Sequence, residues 1–253
     1  MNHRIKLLLS STILACSIGT AAYAQSSGSN IIEELVVTAQ KREESLQDIP
    51  VAVSAYTDQT RDIVGIRSIQ DFATFTPGLS FNAGTDRMSL RGVGRLTNVL
   101  GSDPGVAVYA DGFYTASNSE ASKSTLFVDR VEILRGPQGT LYGRNSIGGA
   151  INVVSKRPEA TFGGEVRGTL GNYNLKQLDG ALSIPITESL RTKLGGLWTK
   201  QDDGYFKNAA GGPSEGGVTD DSWFEAQVEA DIGENATAWV RYSTSNWDQR
   251  GRS

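Results

Sequence analysis

The second half of the chain restricts the fold most. Phe162–Gly171, Lys176–Ile186, Leu190–Gln201, Ser222–Ile232 and Thr237–Trp247 are five segments of about ten residues with approximate period-two alternation, clearest in GGEVRGTLG and TAWVRYSTSNW. Side chains along a strand point alternately to opposite faces, so these segments predict antiparallel strands with one apolar and one polar face. A strand of roughly 9–11 residues also spans a bilayer, its apolar side to lipid and its polar side to a lumen. A soluble sheet would alternate in the same way, so alternation alone leaves both readings open. The connections favour the membrane. Pro185–Ser189 and Gly233–Ala236 are short turns, whereas Asp202–Asp221 is long, Gly-rich and polar, the asymmetry of a barrel with short turns at one rim and longer loops at the other. Tyr173, Trp198, Tyr205, Trp223, Trp239, Tyr242 and Trp247 fall near several strand ends, where interfacial aromatics are expected.

The first 24 residues have the form of a secretory signal. Arg4 and Lys6 give a basic start, Leu7–Ile18 an apolar region, and Ala22-Tyr23-Ala24 a small-x-small cleavage site before Gln25. The apolar region is shorter than the roughly 20 residues of a spanning helix. Lipoprotein processing at Cys16 is the weaker alternative, because Leu14 stands where a small residue is expected. Cleavage after Ala24 removes the only histidine, His3, and the only cysteine, Cys16. The mature chain then lacks imidazole and thiol, which excludes a Ser/His/Asp triad, a cysteine nucleophile, His- or Cys-ligated metals and a structural disulfide. No paired carboxylate site is visible, so neither an enzyme nor a cofactor is expected. With 28 acidic against 24 basic residues and a net charge of -4, the chain has no basic excess for nucleic acid.

Between these ends, residues 25–49 read as a linker: Gln25–Asn30 is Ser/Gly-rich, and Gln40–Gln47 is polar. The β-prone run Ile31–Ala39 lies between them, either an edge strand of the next domain or an extended peptide that adds to a partner's sheet. Residues 50–158 mix strands and helices in an α+β unit. Pro50–Tyr56, Leu79–Asn82, Met88–Gly94 and Val106–Asp111 read as strands, Thr57 and Ser68 as caps of helices reaching Val64 and Phe75, and Thr125–Arg130 as a helical turn. Then comes Asp129–Pro158, DRVEILRGPQGTLYGRNSIGGAINVVSKRP. Strands Val131–Leu134 and Ala150–Val154 flank a loop from Gly136-Pro137 through Gly143 to the pair Gly148-Gly149, where backbone must turn or approach closely. A phosphate cradle is disfavoured, since Gly139 and Gly143 are too close and Arg144 follows.

Asp129–Pro158 resembles the plug-domain signature of TonB-dependent outer-membrane receptors. Leu90-Arg91-Gly92-Val93-Gly94 is similar to the family's recurring RG strand, Asp111-Gly112 to its DG turn, and Ile32–Ala39 to a TonB box. The resemblance implies an α+β plug domain followed by antiparallel transmembrane β-barrel strands. Plugged transporters have about 22 strands, and an open edge in hydrocarbon leaves backbone groups unpaired, so residues 159–253 are expected to be the first strands of a longer receptor. It further implies a Gram-negative outer-membrane location, with plug and N-terminus facing the periplasm, and energy-coupled uptake of a ferric siderophore. Cobalamin, nickel chelates and glycans are the family's other cargoes. TonB would capture Ile32, Glu33, Glu34, Leu35, Val36, Val37, Thr38 and Ala39. Arg91, Glu132 and Arg135 would join a polar network between plug and barrel wall, or else be solvated charges. Gly92, Gly112, Gly136, Gly143, Gly148 and Gly149 would serve packing. Arg87, Phe113 and Tyr114 are candidate ligand contacts, although the two aromatics would equally close the plug core. A periplasmic or cell-surface module that binds ligand without transport is the alternative function.

Overall fold

Val128–Arg135 (β9) and Gly149–Ser155 (β10) pair antiparallel, Ile133 opposite Ile151 and Leu134 opposite Ala150. They form the centre of a sheet whose order is β3-β9-β10-β7-β8. Its other members are β3 (Ala52–Thr57), β7 (Val106–Ala110), parallel to β10, and β8 (Phe113–Thr115). The structure, a computed structural model, describes residues 36–38, 44–45, 51–82, 87–94, 103–115, 117–205, 209 and 216–250. The signal sequence, Ile32, Glu33, Glu34, Leu35 and Ala39 of the expected TonB box, and the Leu96–Ser102 loop lie outside those residues.

Both faces of this sheet are covered. On one, Val131, Ile133, Ile151 and Val153 pack with Ile66, Ile69, Phe72 and Leu90; on the other, Leu134 and Ala150 pack with Ala107, Tyr109 and Tyr142. Strands buried on both sides are mostly apolar, so the runs either side of Gly136–Gly148 carry no alternation, although Glu132 and Asn152 lie within them. Two short helices cover the first face. The Thr57 hydroxyl accepts from the Thr60 N–H (3.1 Å) at the start of α1 (Asp58–Val64), and Gly65, at φ 76°, ends it. At the start of α2 (Ile69–Phe75) the Asp71 carboxylate accepts from the N–H groups of Arg67 and Ser68. Partial burial pushes that carboxyl up, but these bonds and the Ser68 hydroxyl outweigh it and hold it below its ordinary range.

Four local expectations need correction. Met88–Gly94 is not one strand: β5 (Arg87–Leu90) and β6 (Val93–Gly94) form a hairpin, with Arg91 at φ 53° and Gly92 at φ 78° in a two-residue turn whose twist suits paired strands. Arg91 is therefore a turn residue. With β4 (Leu79–Asn82) the hairpin makes a three-stranded sheet. Asp111 (φ 50°) and Gly112 (φ 83°) repeat the device between β7 and β8, so Phe113 opens a strand, not a loop. The expected helical turn before β9 spans only Ser124–Phe127, because the Val128 N–H closes it on the Ser124 carbonyl and extended pairing takes over. The glycine-rich loop contains a four-residue helix, α3 (Gly139–Tyr142).

The second sheet is a meander of β11 (Gly163–Gly171), β12 (Leu175–Pro185), β13 (Leu190–Gln201), β14 (Val218–Ile232) and β15 (Ala236–Arg250), each antiparallel to the next. Its register, Arg167–Asp179–Leu197–Trp223–Ser245 across the strands, puts odd-numbered residues on one face. The even face exposes Val166, Leu170, Leu178, Leu194, Trp198, Phe224, Val228, Val240 and Tyr242. A continuous exposed apolar face is what lipid demands and water penalises. The odd face is turned to the first sheet and is polar. Trp223 and Trp239 belong to it and touch the first unit. Strict side-chain parity thus removes them from the interfacial aromatics expected from position alone, while Trp198 and Tyr242 keep an outward place.

Candidate functional site

The described part of the N-terminal segment is docked on the first sheet. Val36–Val37 (β1) pairs antiparallel with Glu44–Ser45 (β2), Val37 opposite Glu44. Val37 is fully buried among Ala107, Tyr109, Leu134, Tyr142 and Ala150. Next to it, the Thr38 N–H donates to Glu132 Oε1 (2.7 Å) and its hydroxyl lies 3.1 and 3.2 Å from the two carboxylate oxygens. Arg130 Nε (2.9 Å) and Asn152 Nδ2 (3.0 Å) donate to the same carboxylate, and Asn152 also donates to the Thr38 hydroxyl (3.0 Å). Glu132 has no exposed surface. A buried carboxylate is tolerated only when paired and hydrogen-bonded, and this one receives both. Burial and the Glu132 carboxylate push the neighbouring Tyr142 phenol up.

A second set of contacts joins the first unit to the odd face of the meander. Arg241 Nη1 pairs with Asp111 (3.0 Å) and donates to the Ser155 hydroxyl; Asp111 in turn accepts from the N–H and hydroxyl of Ser155 (2.8 Å each). Lys193 Nζ donates to the carbonyls of Leu126 (2.7 Å) and Lys156 (3.2 Å), and Gln227 Nε2 to that of Lys156 (3.1 Å). The Ser124 hydroxyl donates to Asp179 (2.6 Å), and Arg167 reaches Asp62 (3.0 Å) and the Thr125 hydroxyl (2.6 Å). One apolar contact stands among them: Phe127 meets Trp223 edge to face, centroids 4.4 Å apart. Gly195 makes room for it, since a Cβ there would lie 2.3 Å from the Phe127 ring. Between these contacts run cavities of about 530 Å³ beside Asp62 and Asp179 and about 370 Å³ beside Lys123 and Trp247. Arg61 borders the larger: burial pulls it down to about 10, and its Nη2 donates to the carbonyls of Ala121 and Lys123. The seam is thus mostly polar and is interrupted by cavities.

The TonB-dependent Receptor Plug Domain family matches residues 45–150, the stretch that contains the first sheet, its helices and the glycine-rich loop. Residues 45–150 are a TonB-dependent receptor plug domain. The strands that follow it are the beginning of a receptor barrel. The pesticin receptor of Yersinia pestis is 33% identical over 192 residues, which cover 73% of this chain and 28% of that protein. The ferripyoverdine receptor of Pseudomonas aeruginosa is 30% identical over 155 residues, 61% of this chain and 19% of that one. The crystal structure of the ferric yersiniabactin uptake receptor FyuA from Yersinia pestis superposes with a TM-score of 0.68 at 28% identity, covering 78% of this chain and 32% of that one. The alcaligin receptor FauA of Bordetella pertussis, at 22% identity and a TM-score of 0.67, shares the fold. The chain spans between about a fifth and a third of the length of these relatives.

The sequence-predicted residues are placed unevenly in the structure. Glu132 lies inside the plug, and its hydrogen-bond partners are Thr38, Arg130 and Asn152, not barrel residues. The carboxylate is drawn inward because the docked segment supplies the donors. Arg91 sits in the β5–β6 turn, its N–H on the Gly78 carbonyl (2.7 Å), and Arg135 has a buried Nε with no hydrogen-bond partner among the described residues. Gly148 and Gly149 are close approaches: a Cβ would lie 2.8 Å from the Val93 carbonyl oxygen and 2.1 Å from that of Leu134. Gly92, Gly112, Gly136 and Gly143 are at turns with positive φ. Phe113 is exposed; Tyr114 packs on Tyr109 (5.8 Å) and accepts from Asn145 (3.1 Å). Arg87 belongs to the other plug sheet. Of the residues that join plug to wall, Asp62, Ser124, Phe127, Lys193, Gly195 and Arg241 are not singled out by the sequence, while Asp111 reads there only as a turn and Trp223 only as an interfacial aromatic. The available signal was parity, because charges and small residues recur at odd positions from Arg167 to Arg241.

Proposed function

We propose that this chain is the N-terminal part of an outer-membrane receptor that takes up a ferric siderophore with energy delivered through TonB. The observation that carries the reading is a plug domain seated against the polar face of a sheet whose other face is apolar, with a β-prone segment docked beneath it. Names of the relatives support the cargo class: one is a ferripyoverdine receptor, another a ferric yersiniabactin uptake receptor. In this reading Ile32–Ala39 is the segment TonB captures, adding a strand through main-chain hydrogen bonds. The plug and N-terminus face the periplasm, and the Asp202–Asp221 connection lies outside. Arg91 and Arg135 are candidates for a polar network with the barrel wall, and Arg87, Phe113 and Tyr114 are candidate ligand contacts. The polar seam suits movement, since separate hydrogen bonds and ion pairs around cavities can be exchanged for other polar partners. Deleting Glu33–Thr38 from the complete receptor should abolish uptake of the ferric siderophore by whole cells and leave its binding intact. Undiminished uptake would refute the assignment of the segment.

A further inference from the structure

We infer that Glu132 is a positioning residue for the N-terminal segment: its buried carboxylate holds Thr38 in place and occupies the backbone donor that an incoming partner strand would need. The inference rests on reading Ile32–Ala39 as the segment TonB captures. The geometry comes first. Glu132 stands on one β9 face between Arg130 and the buried Leu134, beside Ala55 of β3 and Asn152 of β10. Charge on such a face needs a reason, because an apolar side chain would fill it without desolvation loss. Two of the groups that donate to the carboxylate, the Thr38 N–H and hydroxyl, come from a residue 94 positions earlier in the chain. Val37, fully buried next to them, supplies the apolar half of the attachment.

The consequence concerns strand addition. A partner that extends a sheet along residues 36–38 takes their main-chain donors and acceptors. One edge of Val36–Val37 is already paired with Glu44–Ser45, and the Thr38 N–H is held by Glu132. Capture therefore competes with Glu132 directly. The arrangement can also reset. Thr38, Arg130 and Asn152 line a cleft of about 630 Å³, so water reaches the carboxylate when the segment leaves. Arg130 and Asn152 remain in place to pair with it. Hydrogen bonds to charged groups are the stronger ones, which makes the attachment firm at rest and local enough to open without unfolding the sheet.

The test is amide hydrogen exchange on the complete receptor in detergent, with affinity for the purified periplasmic domain of TonB measured in parallel without ligand. Glu132→Gln should speed exchange at residues 36–38 by at least about tenfold, and Thr38→Val should do so to a smaller extent. The amides of Ile133 and Ile151 should keep their protection in both. Thr38→Ser, which retains the hydroxyl, should behave as the parent, a rescue that a merely structural effect at position 38 would not give. If Glu132→Gln loosens the whole sheet, Thr38→Val, which leaves the carboxylate in place, decides. Unchanged exchange at residues 36–38 in Glu132→Gln, with the sheet protected, would overturn the inference. Faster exchange without tighter TonB capture supports the hold by Glu132 and counts against TonB as the partner of this segment.

Discussion

The two sheets of this chain solve opposite problems. The plug sheet buries both faces, and its centre is aliphatic: Val131, Ile133, Leu134, Ile151 and Val153. The barrel meander buries only its odd face, and what it buries there is Asp179, Ser183, Lys193, Glu225 and Gln227. Hydrophobic burial scales with area and makes a unit that opens all at once. Carbonyl, hydroxyl and ion contacts around cavities instead hold a boundary through separate, directional bonds. The difference teaches that the plug coheres through an apolar centre while its seat against the wall is made of polar contacts.

That comparison can be broken by mutation, and the largest effect belongs to the plug core. Ile151→Ala should destabilise the plug by about 2–5 kcal/mol, the range for removing a buried aliphatic side chain without collapse of the site. Thermal unfolding of the solubilised receptor should show it as earlier loss of plug amide protection, with the meander unaffected. A loss shared equally by both sheets would show that they are one cooperative unit. Gly195→Val should have the next effect, about 1–3 kcal/mol, the usual range for forcing extra carbon atoms into a packed site. The new side chain displaces the Phe127 ring from Trp223, so tryptophan fluorescence should shift while the protection of Ile133 persists. The smallest effect is expected from Arg167→Gln. Its pairs with Asp62 and Glu165 are a third to a half exposed, so the loss should be below about 1 kcal/mol and should vanish as salt is raised. A salt-independent loss larger than that of Gly195→Val would invert the account of the seam.

How much of this was legible beforehand follows from the range of each interaction. Local chemistry was: Thr57 and Ser68 do begin helices, and Leu190–Gln201 is bounded as its alternation indicates. Short-range turn chemistry was only half legible, because Arg91-Gly92 reads as part of a strand until φ becomes positive at both residues. The site was legible as a set of segments and illegible as a set of contacts. Glu132 was expected to face the wall and instead holds Thr38, a pairing between residues far apart in sequence that no periodicity announces. Gly195 looks like an ordinary strand glycine until Phe127 is seen against it. Trp223 and Trp239 depart from expectation for a related reason. Position along a strand gives depth, but only register against the neighbouring strand, together with what lies on each face, gives the side.

The central claim, that the plug sits on the odd face of the meander through its polar side chains, is tested most directly by cross-linking. Ser124→Cys and Asp179→Cys together replace a hydroxyl and a carboxylate 2.6 Å apart across the seam, in a mature chain that is expected to contain no other thiol. A short thiol cross-linker added to membranes should join the pair in nearly every molecule. The parity control, Ser124→Cys with Leu178→Cys, should stay unlinked, because Leu178 faces the opposite side of the same strand. Linking of the control pair, or no linking at Asp179→Cys while both thiols react with a monofunctional reagent, would contradict the account.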